Sequence, residues 1–488
     1  MLSALRTRPS PLLKITSLRD SFDSLRVRNY RLYVISQVLT NTFGWAARVA
    51  QNWLILTLTG SPTMVGLTVA LQFGPIVFLG LLGGVLADRY PRRTLLTITQ
   101  TIFGLSTLSV GVLAITGRVE AWHVLVAASV VGVATAFDNP ARQAFVHETA
   151  GPQHLRQAIG LNSAVFQLGA LVGPAVAGLL IGAFGEGWAF LLNAAASFVA
   201  VGLLIVMRTS ELTPTVALPR AKGQLREGLA YARRSPTILW PVILVGFVGL
   251  TGVNLTTVLA AYADEVFETG AGGYALLNSM LAVGALTGAL ISTRRRRVRL
   301  RQLLLLSATI AVLEVVAAFV TQQAVFVALL VVLGTVTLVY IIGNNVLLQV
   351  SVADELRGRV MAIYVLVSMG AQAASGLIIG WVAEQAGPHV AMGVCAVGPA
   401  VGVVIVGWRM TRGLGMGPRE VVGRLQAGSR SLTASVSASV RSAVTSRDAE
   451  AVTSAADPAS SYADSPDEMS EPRRTSATPA TTRTAPTA

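Results

Sequence analysis

Three charged side chains stand within stretches of otherwise apolar residues: Arg48, Asp138 and Glu314. An ion inside a hydrocarbon layer is costly, so such residues read first as functional ones. An arginine there can hold an anion, and a carboxyl group can take up a proton on one side and release it on the other. Amides gather around the arginine. Asn41, Gln51 and Asn52 share its stretch, and Asn41, Arg48 and Asn52 follow the i, i+7, i+11 spacing of one helical face. Asn254, Asn344, Asn345 and Gln349 lie in two later stretches. As a set these residues suit a polar path for a small molecule and a proton; singly, each suits equally well the satisfaction of a neighbouring carbonyl. Glu314 has two readings as well, a proton carrier or a scaffold residue that is protonated or paired locally. Asp264 and Glu265 are either a proton inlet or the solvated start of a loop.

No other arrangement points to bond-making chemistry. The four histidines (His123, His147, His154, His389) are scattered, and a single cysteine, Cys395, allows neither an intrachain disulfide nor a multi-cysteine metal site. There is no nucleophile–base constellation and no Gly-x4-Gly-Lys-Ser/Thr phosphate loop. The sequence therefore predicts no enzyme, no cofactor and no metal.

The elements that must position these residues are membrane helices. The chain has 488 residues, 53% hydrophobic and 13% charged, where a soluble protein carries roughly 25% charged residues. The apolar residues fall into blocks of about 20, the length that spans a bilayer core. Twelve blocks can be placed, at about 32–57, 63–86, 95–116, 121–140, 158–183, 187–207, 238–263, 273–292, 302–321, 325–345, 360–383 and 389–408. Trp122, Trp188, Trp240 and Trp408 fall at their ends, as in an aromatic belt. The net charge of +14 does not point to nucleic acid, because all but two of the 38 basic residues lie in the termini and alternate loops on one side. The exceptions are Arg48 and Arg118. This asymmetry places both termini in the cytoplasm, and an odd number of spans would destroy it. The N-terminal residues do not read as a cleaved signal peptide.

The spans form two halves. Gly80-x3-Gly84 before Arg92-Arg93 recurs as Gly284-x3-Gly288 before Arg296-Arg297, and Leu155-Arg156 with Gly169 recurs as Leu356-Arg357 with Gly370, each roughly 200 residues further on. The expected organisation is a cytoplasmic arm over 1–31, a six-helix bundle over 32–208, a linker over 209–237 with a short helix from Gln224 to Arg234, a second bundle over 238–408 and a disordered tail over 409–488. The tail is poor in large apolar side chains and cannot offset its ordering entropy.

The loop after the second block reads Gly84-Val85-Leu86-Ala87-Asp88-Arg89-Tyr90-Pro91-Arg92-Arg93. It resembles the signature of the major facilitator superfamily, with Pro91 where the signature has glycine. The fifth block carries Gly160, Gly169, Gly173, Pro174, Ala177 and Gly178, and resembles the antiporter motif of exporters in that superfamily, with Ala177 the one substitution. Trp45, Arg48, Gln51 and Trp53, together with Phe137-Asp138-Asn139-Pro140-Ala141-Arg142-Gln143, look like the drug and siderophore secretion branch. That branch includes enterobactin exporters and macrolide-efflux-type proteins. The resemblance covers about residues 25–410.

The resemblance implies an all-α membrane protein of twelve transmembrane helices in two pseudo-symmetric bundles, and a secondary exporter working by alternating access. It implies a proton antiporter in the cytoplasmic membrane, acting as a monomer on a drug, antibiotic or siderophore. Helices 1, 4, 7 and 10 would line the cavity and 3, 6, 9 and 12 would support it. Gly84, Asp88, Arg89, Arg92 and Arg93 would form an inner latch. Asp138 and Arg142 belong to the same rim: Trp122 to Asp138 measures about 24 Å of helix, too low for Asp138 to meet Arg48, so Asp138 is expected to pair with Arg92 or Arg93, or else to relay protons. One departure matters. Many proton-coupled drug antiporters have an arginine within the fourth helix, whereas Val124 to Ala136 holds no charge. The alternatives are an uptake carrier of the same fold or a membrane sensor or scaffold acting through the tail.

Overall fold

A computed structural model describes residues 23–212, 224–252, 255–293, 298–352 and 354–413. The expected tail and Asn254 lie outside the described residues, apart from the few tail positions that complete the last helix. Described residues are helical almost throughout. We number the spanning helices α1 Arg28–Thr59, α2 Pro62–Arg89, α3 Arg92–Ile115, α4 Ala121–Gly151, α5 Gln153–Phe184 and α6 Glu186–Val206. After a short linker helix, Gln224–Arg234, come α7 Pro236–Val266, α8 Gly270–Thr293, α9 Leu300–Ala318, α10 Gln323–Ser351, α11 Asp354–Ala386 and α12 Pro388–Met410.

Eleven of these helices are long and apolar enough to cross a membrane. The other, α1, is long enough, but Gln37, Asn41, Arg48, Gln51 and Asn52 make it the polar one. Its polar face is covered by protein, which is what allows such a helix to span.

Local chemistry fixes the corners. Gly60 ends α1 in the left-handed region (φ 61°), so that Ser61 can cap α2 by accepting the Met64 N–H. Gly151 (φ 68°, ψ 169°) breaks the helix between α4 and α5. Two π-turns, Val248–Gly252 and Tyr262–Val266, interrupt α7.

Small residues set the packing in each half. An added Cβ would fall 2.1 Å from the Ala136 carbonyl oxygen at Gly83, and 2.3 Å from that of Leu71 at Gly132, so α2 and α4 touch backbone to backbone. The second half repeats this between α8 and α10, where a Cβ on Gly284 or Gly334 would fall 2.1 or 2.2 Å from the facing carbonyl oxygen. Gly83 thus serves the α2–α4 contact beside Gly84, its half-buried neighbour in the loop signature.

The halves meet through α2 with α11 and α5 with α8. Gly66, Gly376 and Gly380 bring α2 and α11 into backbone contact near one end. Three hydrogen bonds cross there: Asn52 Nδ2 to the Tyr274 hydroxyl at 3.2 Å, the Thr63 N–H to Glu384 Oε2 at 3.2 Å, and the Ser61 hydroxyl to the same oxygen. This is the end opposite the arginine-rich loops.

Candidate transport site

The side chain that stands out is Arg48, half-buried on α1. Its guanidinium lies 5.0 Å from the Trp45 ring centroid and 6.0 Å from that of Phe73. Among the described residues it has no carboxylate partner and no hydrogen bond. A cation on aromatic faces is partly compensated, by about 0.5–2 kcal/mol, but its five N–H donors stay available. Trp45 is held from behind: its ring stacks edge-on against Phe166 of α5 at 5.8 Å. An added Cβ on Gly173 would fall 2.4 Å from Trp45 Cβ, and one on Gly169 2.8 Å from Asn41 Cβ. The glycines of α5 thus seat α1, and with it the arginine. Gly178 serves a different contact, where an added Cβ would fall 2.6 Å from Ala275 Cβ of α8, and Gly160 faces open space. Pro174 lies within α5 beside Gly173.

Gln51 extends the polar lining. It accepts from Gln72 Nε2 of α2 at 3.1 Å and donates to the Val124 carbonyl of α4 at 3.5 Å. Gln72 and Phe73 escape a reading of the sequence, since one glutamine and one phenylalanine in an apolar block carry no spacing signal.

Asp138 sits in a buried cluster below this site. Its Oδ2 receives Arg142 Nε at 2.7 Å, and its Oδ1 receives Thr99 Oγ1 at 2.7 Å and Gln100 Nε2 at 3.5 Å. Arg142 also donates to Gln37 Oε1; Gln37 Nε2 donates to the Tyr33 hydroxyl at 2.6 Å, and Asn41 Nδ2 to the Gln37 carbonyl at 2.8 Å. The cluster ties α1, α3 and α4 together. The expected pairing of Asp138 with Arg92 or Arg93 is not what the structure has. Arg142, one helical turn away, satisfies the carboxylate first; Arg92 pairs with Glu148 of α4, and Arg93 caps the end of α6 by donating to the Leu204 and Ile205 carbonyls at 2.6 Å each. Asp88 and Arg89 are exposed on the last turn of α2.

The other polar residues divide. Asn52 joins the contact between the halves. Asn344 is fully buried and donates to the Pro241 carbonyl of α7 at 3.1 Å, so it satisfies a helix rather than facing a path. Asn345 accepts from Gln349, which is exposed near the end of α10. Glu314 is fully buried on α9, and neither carboxyl oxygen has a hydrogen-bond partner.

Residues 19–413 match the family model described as transmembrane secretion effector. The chain belongs to that family, within the major facilitator superfamily. The family is one of transporters, not enzymes. Among its relatives, the multidrug efflux pump Tap of Mycolicibacterium fortuitum is 27% identical over 354 residues, covering 70% of this chain and 86% of Tap. The enterobactin exporter EntS of Shigella boydii is 25% identical over 331 residues, covering 67% of this chain and 78% of EntS. The staphyloferrin A transporter of Staphylococcus aureus is 24% identical over 248 residues, covering 51% of this chain and 62% of that one. A solved bacterial homolog of the lysosomal transporter Spinster has the same fold, with a TM-score of 0.62 at 16% identity over 78% of this chain and 96% of that one. The nucleoside transporter NupG fits comparably, at 0.63 and 13% over 78% and 98%. This family member is thus a multi-pass transporter with the major facilitator fold.

Proposed function

We propose that the protein is a proton-coupled exporter of small aromatic anions, siderophore-like catecholates and aryl carboxylates among them, in the cytoplasmic membrane. Arg48 carries the reading. An unpaired guanidinium on two aromatic faces, set in the polar helix of the bundle, is suited to an anionic group joined to a flat ring. Gln51 and Gln72 offer further donors and acceptors beside it. The name of EntS, an enterobactin exporter, agrees with outward movement of a small molecule, as does the glycine pattern of α5.

The arginine-rich face is cytoplasmic by the positive-inside rule. The closed end, with Asn52, Tyr274, Ser61 and Glu384, is then the outer one. Residues 32–208 and 238–408 rock as two bundles within one chain, so a monomer suffices. Asp88, Arg89 and Gly84 act at the inner end of α2 in the state that closes the cytoplasmic side, with Arg92 and Arg93 bracing that end inside the first half. Proton entry from outside offsets the cost of driving substrate outward.

Everted membrane vesicles that hold the full chain test this, with 2,3-dihydroxybenzoate as probe and ethidium as a cationic control. Acid-interior vesicles accumulate the probe, and collapsing the pH gradient with nigericin abolishes accumulation. Arg48→Ala lowers probe transport at least tenfold, equivalent to about 1.4 kcal/mol, and Arg48→Lys restores part of it. Movement of ethidium alone would replace the anion reading with a cationic-drug reading, and accumulation only in right-side-out vesicles would make the protein an uptake carrier.

A further inference from the structure

The substrate reading leaves one buried ionisable group without a task. Glu314 is 0% exposed, and both of its carboxyl oxygens lack a partner. It faces α7 at the Val248–Gly252 π-turn, where an added Cβ on Gly252 would lie 3.3 Å from Glu314 Oε1 and 2.5 Å from Pro399 Cγ of α12. The polar group of that turn is already engaged: the Thr251 hydroxyl donates to the Cys395 carbonyl and accepts the Gly398 N–H, each at 2.8 Å. Among the described residues, no cation approaches Glu314 at membrane depth. The titratable and charged groups of the elements packed on α9 are Tyr262, Asp264 and Glu265 of α7, Tyr340 of α10, and His389, Cys395 and Arg409 of α12. Asp264 and Glu265 are exposed at the outer end, and Arg409 stacks on Trp408 at the opposite end. An ionised carboxylate without a counter-charge would cost several kcal/mol here, so Glu314 holds a proton in this closed arrangement.

One helical turn outward, the same helix meets a histidine. His389 Nδ1 lies 2.7 Å from the Ala318 carbonyl oxygen and 3.2 Å from the Tyr262 hydroxyl. A carbonyl only accepts, so Nδ1 carries the hydrogen and the lone pair of Nε2 is left open. His389 is half-buried beside the outer loop between α11 and α12. The interface of α7, α9 and α12 therefore holds a half-buried imidazole, a tyrosine hydroxyl and, one turn further in, an isolated carboxyl group at a π-turn, a feature common at functional sites.

We propose that Glu314 is the proton-binding site of this exporter, loaded from the outer face past His389 and Tyr262. Substrate and proton then bind in different halves, at Arg48 and at Glu314. This rests on the proton-coupled reading above. In the loading step, a proton from the outer aqueous phase enters past His389 and Tyr262 and protonates the Glu314 carboxylate, the imidazole ending neutral as it began. Only N–H and O–H bonds are exchanged. Release follows when α7 moves at the π-turn and the carboxyl group meets water on the cytoplasmic side.

Two measurements on the full-length protein decide it. In micelles of weak buffer, a downward pH step that begins where Glu314 is ionised is followed with a pH-indicator dye; wild type takes up about one proton per chain more than Glu314→Gln, and equal uptake would overturn the site. In proteoliposomes, the ratio of protons to probe moved is followed for dihydroxybenzoate or ethidium, whichever wild type carries. Glu314→Gln lowers that ratio at least tenfold while exchange of labelled for unlabelled probe continues, and Glu314→Asp restores it. His389→Gln slows proton uptake from the outer face about tenfold with Glu314 intact, and unchanged uptake there overturns the route. A wild-type ratio retained in Glu314→Gln sinks the proposal and leaves proton coupling standing. Wild type that moves probe with no protons sinks the coupling itself.

Discussion

Two arginines show how neighbours decide what a charge does. Arg142 has a carboxylate at 2.7 Å and an amide at its far side; Arg48 has two rings and no counter-ion. The first is a structural brace, because its donors are used and its partner Asp138 is buried with Thr99 and Gln100 around it. Removing one member of such a pair leaves an uncompensated charge, which costs about 3–5 kcal/mol, more than the pair itself contributes. Arg142→Ala is therefore expected to lower the melting temperature of the detergent-solubilised protein sharply. The double variant Arg142→Ala with Asp138→Asn should regain much of that loss, since the orphaned charge is gone. A double variant no more stable than the single one would show that Asp138 is not held by Arg142.

Among the elements, α5 does two jobs along one glycine pattern, seating α1 through Gly169 and Gly173 and meeting α8 through Gly178. The motif positions are not equivalent, so their substitutions should not be. Gly173→Ala puts a methyl group 2.4 Å from Trp45 Cβ and 2.8 Å from the Thr42 carbonyl oxygen, forcing α1 away and moving Arg48 with it. We expect a loss of about 1–3 kcal/mol in stability and at least tenfold in transport. Gly160→Ala meets nothing within 4 Å and gains helix propensity, so its transport and melting should match wild type. Equal losses at both positions, measured in the same vesicles, would mean that the motif acts through backbone flexibility and not through close approach.

In the whole molecule, one helix pair is tied at the end away from the arginine-rich loops. Glu384, near the end of α11, accepts from the Ser61 hydroxyl and the Thr63 N–H at the start of α2, a carboxylate at a helix N-terminus, where the dipole favours it. Asp88 stands exposed at the other end of α2. Ser61→Ala combined with Glu384→Gln should weaken the outer closure. Spin labels at Leu58 and Gln385, in a Cys395→Ser background, should then report longer and broader distances than in the parent. An unchanged distribution would assign the closure to the Gly66, Gly376 and Gly380 contact alone.

The sequence by itself determined the class of molecule and its family. Block length, the one-sided arginines and the glycine patterns are local or periodic properties, and physics acts on them locally: about 20 apolar residues span a bilayer whatever they pack against. It also marked Arg48 and Glu314, because charge within an apolar block is visible without a fold. It did not determine partners. Arg142 stands one turn from Asp138 on the same helix and takes it locally, whereas only the packing of the bundle gave Arg92 to Glu148 and left Arg93 to the end of α6. Asn344 and Asn345 are neighbours in sequence, yet a helix turns them about 100° apart, so one closes on the Pro241 carbonyl and the other on Gln349. Contacts between helices distant in the chain depend on rotation and depth, and those are set only when the bundle closes.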